Sequence, residues 1–346
     1  MKNTKQLFFL FVGITYLFSL SVYGKPYKGA EIYSNESYLY GRFEMRMQMA
    51  KGSGILSTFF TYKNGSEIEG NFWEEIDIEV FGKDSAFNWQ SNIILGNSTP
   101  TIMSVEDHSN VTSLAENYHT YALEWTPDYV AWFLDGEEIR RITGSSTVTS
   151  LMSAHSLRFN IWSSESAIWA GAWDDSVLPR YQFVDYLRYQ PYNTETQQFE
   201  DGWRDDFNVF DTARWSKANW TFNENRVDFA PENVVIKDGI LILAITKNNA
   251  LGYDGIPPQP TASSSSAISA SSSSSLEFSS SSLAVSSSTS SLPSSEISSA
   301  PPSSSVASSI SPPKKNGGGG GGSTGLGVIF FLTFLLALQS RKTKYY

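Results

Sequence analysis

The strongest constraint on the fold of this chain is a strict two-residue alternation of acids and isoleucines. Residues 73–79 read Trp-Glu-Glu-Ile-Asp-Ile-Glu. Period two is the side-chain period of a β-strand, so Glu75, Asp77 and Glu79 share one face while Ile76 and Ile78 share the other. The isoleucines belong in a core, and the acids line an open face beside Trp73. Like charges along one strand face repel, so a fold carries such a row either well solvated or for chemistry.

The chemistry this row fits is glycoside hydrolysis, which uses two carboxyl groups of unequal pKa, one ionised to attack and one protonated to release the leaving oxygen. Asp77 lies between the outer pair, where it can hold Glu75 in place and help keep Glu79 protonated, because neighbouring carboxylates raise one another's pKa. Four residues of strand separate the Glu75 and Glu79 backbones by about 13 Å. Retaining chemistry places its carboxyls about 5–5.5 Å apart. Both side chains therefore have to lean inward over Asp77, as a concave sheet favours.

The rest of the chain reads as strands. Residues 28–48 alternate, with Phe43, Met45 and Met47 against Arg42, Glu44 and Arg46. Residues 55–62, 75–81, 88–95, 157–162 and 182–189 continue the pattern, and 120–142 form hairpins around Asp135-Gly136, a turn dipeptide. Residues 97–117 are polar and read as loop, and no helical stretch of ten residues is expected between 25 and 254. Short strands with frequent turns indicate an all-β sandwich. Residues 199–246 look similar, with an apolar strand at 240–245, and read either as part of that sandwich or as a small sugar-binding module.

Composition narrows the partners. The net charge of −10 argues against nucleic acid or an anionic membrane surface, and suits a neutral substrate. Aromatics at 14% exceed the needs of a core and suit stacking on sugar rings. With no Cys there is neither a disulfide framework nor a thiolate metal site. His108, His119 and His155 show no ligand spacing and are expected to be structural or at the surface.

The ends differ from the middle. Residues 1–24 read as a signal peptide: Lys2 and Lys5, an apolar run at 7–20, then Val22-Tyr23-Gly24. A membrane anchor is the rival reading, although the run is shorter than the ~20 residues of a spanning helix. Residues 25–254 form the expected folded body. Residues 255–316 are a Ser/Pro-rich linker too poor in apolar side chains to fold. Residues 317–346 hold a Gly run, an apolar run and a basic end. They resemble the Gly-Gly sorting signals of Gram-negative bacteria, with a short membrane anchor as the rival. The expected location is extracellular or on the outer surface of a bacterium.

Glu75-Ile76-Asp77-Ile78-Glu79, followed by Val80-Phe81-Gly82-Lys83, resembles the signature of glycoside hydrolase family 16. The uninterrupted form resembles the lichenase branch; laminarinases of the family usually carry one extra residue before the last Glu. The resemblance spans about 28–246, in the segment order of a circularly permuted member. It implies a concanavalin-like jelly-roll sandwich that residues 199–246 complete. It also implies a retaining endo-glycosidase acting on mixed-linkage 1,3-1,4-β-D-glucan, with Glu75 as nucleophile, Glu79 as acid/base and Asp77 positioning them. A laminarinase-type 1,3-β-glucanase and a non-catalytic, lectin-like glucan-binding sandwich are the alternatives. A sulfated galactan would call for more basic residues than Arg158 and Arg226.

The same resemblance places Glu31, Phe60, Tyr62, Glu67 and Trp73 along a substrate cleft. It adds Gln90 and Asn92 from one strand, Arg158, Asn160 and Trp162 from another, Trp169 on a loop, and Trp220, Asn225 and Arg226 from the permuted segment. Phe59 departs from the family's Met, and Asp185 stands where the permuted relative has Asn. No cofactor is expected for catalysis. A structural calcium ion is implied at Asp185, Asp206 and the Gly239 carbonyl, whose oxygen ligands suit that cation. A monomer is expected.

Overall fold

The computed structural model describes residues 24–260. The expectations for 1–23 and 261–346, which include the body of the signal segment, most of the linker and the whole C-terminal segment, lie outside the described residues. In chain order the strands are β1 (Tyr27–Tyr38), β2 (Gly41–Gln48), β3 (Ile55–Tyr62), β4 (Phe72–Phe81), β5 (Asn88–Asn97), β6 (Pro100–Met103), β7 (Glu106–Ser109), β8 (His119–Trp125), β9 (Tyr129–Leu134) and β10 (Glu137–Thr143). They continue with β11 (His155–Ser163), β12 (Arg180–Gln190), β13 (Tyr192–Asn193), β14 (Gln198–Phe199), β15 (Trp203–Asp205), β16 (Trp215–Lys217), β17 (Asp228–Phe229), β18 (Val234–Lys237) and β19 (Ile240–Lys247). The α-helices among the described residues, Ser146–Thr149 and Ala167–Ala170, are single turns.

Two sheets face each other. The first runs β5–β4–β3–β11–β1–β16, with β6 and β7 both paired to the outer edge of β5. The second runs β10–β9–β8–β2–β12–β19–β18. Strand β1 joins them, since Tyr27 and Lys28 pair with β19 while Ala30–Tyr33 pair with β11. Alternation decides what lies between the sheets. Along β2, Phe43, Met45 and Met47 are wholly buried, while Arg42 turns outward to Glu124 at 2.6 Å. Phe43 meets Phe59 of the opposite sheet with ring centroids 6.4 Å apart.

Strand β19 is apolar on both faces and buried up to its last residue, because it lies between β12 and β18 and is covered outside as well. Through β19 and β16, the segment after residue 198 contributes to both sheets. It is built into the sandwich and is not a separate module.

The reading of 97–117 as loop needs correction. Residues 100–103 and 106–109 are edge strands, held less by their own pattern than by what reaches them. Arg140, from the second sheet, ion-pairs with Glu106 at 3.0 Å and donates to the Ser91 and Ser104 carbonyls at 2.9 and 2.8 Å. Strand β4 is followed by Gly82, where a Cβ would come within 2.5 Å of the Gly52 carbonyl oxygen, so only glycine permits that approach.

Candidate active site

Strand register sets the site. Residues paired across neighbouring strands project to the same side of the sheet. The rung through Glu79 carries Gln90, Glu79, Thr58, Asn160 and Glu31, and the rung through Asp77 carries Asn92, Asp77, Phe60, Arg158 and Tyr33. In the third rung Glu75 pairs with Tyr62 and Ile94. Ile76, Ile78 and Val80 are wholly buried on the opposite side. The acids therefore stand on the face turned away from the core, as the alternation predicts. Surface hollows of about 510 and 520 Å³ lie elsewhere, at Arg204–Arg214 and beside Tyr181 and Tyr253. The acids occupy an open face that a long chain can cross.

The three acids are not equivalent. Burial raises Glu75, but the Trp73 indole N–H donates to its Oε2 at 2.7 Å, and a hydrogen bond with Asp77 also favours its charged form. Burial and the charges of Glu75 and Glu79 push Asp77 well above the ordinary carboxylate range. Asp77 is thus the proton-bearing partner in its bond with Glu75. Glu79 is raised by burial and then by the Glu75 charge, and no hydrogen bond favours its charged form. Burial still leaves Glu75 raised, to about 7 against about 8 for Glu79, so Glu75 is the first of the outer pair to ionise and Glu79 the one that holds its proton longer. The strand beneath is pinned to the other sheet by Trp132, whose indole N–H donates to the Asp77 carbonyl at 2.9 Å.

Most of the expected binding residues flank this row. Arg158 donates to Glu31 at 2.9 Å, Asn160 donates to Glu31 at 3.1 Å, and Thr58 donates to Asn160 at 2.5 Å. Burial raises the Glu31 pKa, opposed by the Arg158 charge and by hydrogen bonds from Asn160 and Arg158. Tyr62 donates to Glu67 at 2.6 Å and meets Trp73 edge-on, 5.4 Å between centroids. Beyond Glu79, Trp169 donates to Gln90 at 2.9 Å and packs near Phe81 and Trp162. On the β1 side Trp220, 37% exposed, lies 5.1 Å from Tyr33. Asn92 is buried with its side-chain oxygen unpartnered.

Two expected residues are placed differently from the rest. Asn225 is fully buried and accepts from the Val227 N–H at 3.0 Å, while Arg226 lies over the Trp173 ring at 5.6 Å. No hydrogen bond or ring contact joins either to the rungs. Sequence reasoning missed Tyr33, two residues from Glu31 on one strand face, and Phe222, which is 42% exposed and 5.2 Å from Trp162. Their two-residue spacing from Glu31 and Trp220 was the available signal. It also missed Asp107, which accepts from Gln90 at 2.5 Å and had no signal in a polar stretch.

At the implied calcium position, burial raises the Asp185 pKa, with the Arg46 charge opposing and the Asp206 charge adding to it. Arg46 lies 3.6 Å from Asp185, and Arg204 donates to Asp206 at 2.6 Å. Among the described residues, no group of three or more His, Cys, Asp or Glu side chains gathers as for a metal ion. Asp206 lies close enough to Asp185 for its charge to act there, and carboxylate oxygens are ligands of the type a hard cation takes.

Residues 13–177 match the family model Glycosyl hydrolases family 16. A beta-glucanase of Fibrobacter succinogenes is 43% identical over 244 residues, 69% of each chain. A beta-glucanase of Acetivibrio thermocellus is 35% identical over 48% of this chain and 47% of its own length. Among solved structures, a Bacillus licheniformis beta-glucanase aligns at 31% identity over 46% of this chain and 70% of that one, with a TM-score of 0.41.

Proposed function

Given that the chain belongs to glycosyl hydrolase family 16, we propose that it is a retaining endo-β-glucanase that cleaves mixed-linkage 1,3-1,4-β-D-glucan. The observation that carries this reading is the asymmetry between Glu75, which accepts from Trp73, and Glu79, which has no donor. Glu75 attacks the anomeric carbon while Glu79 gives its proton to the leaving oxygen, forming a glycosyl ester on Glu75. Ester formation removes the Glu75 charge, which is one of the two causes that raise Glu79. Glu79 then becomes more acidic and is ready to take a proton from the water that opens the ester. Asp77 holds Glu75 through its own proton. A lectin has no use for three crowded carboxyls in one row.

The mixed-linkage preference is supported by the beta-glucanase relatives and by the continuous pairing of β3 with β4, with no bulge before Glu79. The chain reads as circularly permuted: the family match ends at residue 177, yet strands after 200 pair into both sheets. We also infer export to the cell surface, from the residue pattern of 1–24 and 317–346. In the same reading a calcium ion held by Asp185, Asp206 and the Gly239 carbonyl stabilises the fold and takes no part in the chemistry.

The test is reducing-end release from barley β-glucan, lichenan, laminarin and carboxymethylcellulose, run side by side. Cleavage of the first two is expected. Preference for laminarin would move the enzyme to the 1,3-β-glucanase reading, and inactivity on all four would favour a binding protein.

A further inference from the structure

Beyond Glu79 the open face ends in a short chain of side chains running from β5 to the edge. Gln90 pairs directly with Glu79 across the strands and is 9% exposed. Its Oε1 accepts from the Trp169 indole at 2.9 Å, and its Nε2 donates to Asp107 Oδ1 at 2.5 Å. Trp169 lies 5.5 Å from the Phe81 ring and 5.8 Å from the Trp162 ring, centroid to centroid. Asp107 sits on edge strand β7, opposite Gln90 in register, and is exposed.

An indole nitrogen only donates and an ionised carboxylate only accepts. Placed on either side of one amide, they leave it a single orientation. The amide keeps one N–H and one oxygen lone pair unused, both in fixed directions, and those are what a sugar hydroxyl needs. Trp169 is fixed in the same act, because its one polar atom is spent on Gln90.

We propose that Asp107 is a positioning residue for this end of the site: it locks the Gln90 amide in one orientation and, through it, sets Trp169 to meet a sugar ring. The inference rests on the reading that Gln90 and Trp169 touch the glucan. The carboxylate itself need not touch sugar, which separates its role from that of Gln90. Arg140 anchors the neighbouring Glu106 at 3.0 Å, so β7 offers Asp107 from a braced edge.

The experiment is steady-state kinetics on soluble barley β-glucan with the full chain carrying Asp107→Ala, Asp107→Asn, Gln90→Ala, or Asp107→Ala with Gln90→Ala. Asp107→Ala is expected to raise KM about fivefold with kcat within about twofold, the scale of one hydrogen bond. Asp107→Asn retains an acceptor and is expected to restore most of the loss. In the Gln90→Ala background, Asp107→Ala should add nothing further. An unchanged KM in Asp107→Ala, with Gln90→Ala impaired, overturns the proposal. So does an equal loss in Asp107→Asn, or full additivity of the double variant. If Gln90→Ala itself leaves KM unchanged, the reading of this end of the site fails, and the proposal with it. Melting curves confirm that each variant is folded.

Discussion

Trp73 and Glu75 stand two residues apart on one strand face, and the indole N–H of the first donates to the carboxylate of the second at 2.7 Å. Glu79, four residues on from Glu75, receives no such bond from any described residue. In the proposed mechanism the division of labour between these two chemically identical side chains depends on that neighbour. Replacing Trp73 with Phe keeps the ring and removes the donor. A bond to a charged group is worth about 1.5–3 kcal/mol, so kcat/KM is expected to fall roughly 10–100-fold. The direction of the pH effect follows: with less support for its anion, Glu75 titrates higher and the acidic limb of the kcat/KM profile moves to higher pH. An unmoved acidic limb would show that the indole acts only by packing.

Glu79 as acid/base predicts chemical rescue. Glu79→Ala should lose about 10²–10⁴-fold in kcat, the usual worth of general acid–base catalysis. With an aryl glycoside that needs little protonation, azide should restore turnover by opening the Glu75 ester in place of water, giving a β-glycosyl azide. NMR of early products from the unaltered enzyme should show the β-anomer. An α-anomeric first product would remove the retaining assignment.

Behind the catalytic row a second buried pair ties stability to pH. Burial works to raise Glu74, but the buried His155 ring 3.6 Å away and hydrogen bonds from Ser153 outweigh it and hold the carboxyl at about 2. The Met152 and Ser153 N–H groups both donate to it, at 2.7 and 2.9 Å. His155 is wholly buried, and burial lowers its pKa below the ordinary value near 6.5. A group with a depressed folded pKa contributes stability that is present above its unfolded pKa and is lost as pH falls. The His155 share is lost below about 6.5, and the Glu74 share below its unfolded value of 4.5 towards 2. Melting temperature should therefore decline from pH 7 to pH 5. In His155→Gln, which is less stable throughout, that decline should be flatter. An identical slope in both proteins would assign the acid sensitivity to other groups.

How far the site could be read in advance depended on whether a residue's neighbours were local. Glu75, Asp77 and Glu79 declared themselves because a strand repeats every two residues and the isoleucines between them fill a core. The row from Arg158 to Trp162 was visible for the same reason. Asp107 was invisible because β7 is polar on both faces and is held by pairing to β5 and by Arg140 from the opposite sheet. Nothing within ten residues of it carries that information. Asn225 was assigned to the substrate by resemblance; the structure buries it and leaves its side-chain nitrogen without a hydrogen-bond partner among the described residues. Similarity in sequence does not report how deep a side chain lies.

Calcium binding, if the proposed ligands hold it, acts by mass action on the folded state alone. Protein first shown to contain calcium should melt at lower temperature after chelation, with little change of activity at low temperature. Asp206→Ala should melt like the chelated protein and no longer respond to chelator. A calcium-loaded protein whose melting is indifferent to chelation would rule out a stabilising site.

The segment after residue 198 gives the most decisive test of the architecture. Strand β19 pairs with β12 on one side and β18 on the other, and β16 closes the edge at β1, so residues after 198 supply strands to both sheets. A fragment of residues 25–192 would expose the edges of β12 and β1 and the inner face of β11 that β19 covers, and should aggregate. Residues 196–260 alone would leave β19 unpaired against β12 and should be unfolded. The first and last strands of the body nevertheless meet. Tyr27 pairs with Lys247, and the Asn248 N–H donates to the Pro26 carbonyl at 3.0 Å. Adjacent ends allow the chain order to be reversed without moving a strand. Joining Pro260 to Lys25 through a flexible Gly-Ser linker of about ten residues costs little more closure entropy than a shorter loop. The new termini belong between Glu195 and Thr196, in the exposed turn joining β13 and β14. Such a rearranged protein should show the same circular dichroism and a comparable specific activity on barley β-glucan, because every strand pair and every rung of the acid-bearing face is retained. A soluble, active 25–192 fragment would show instead that the catalytic sandwich does not need the segment that follows it.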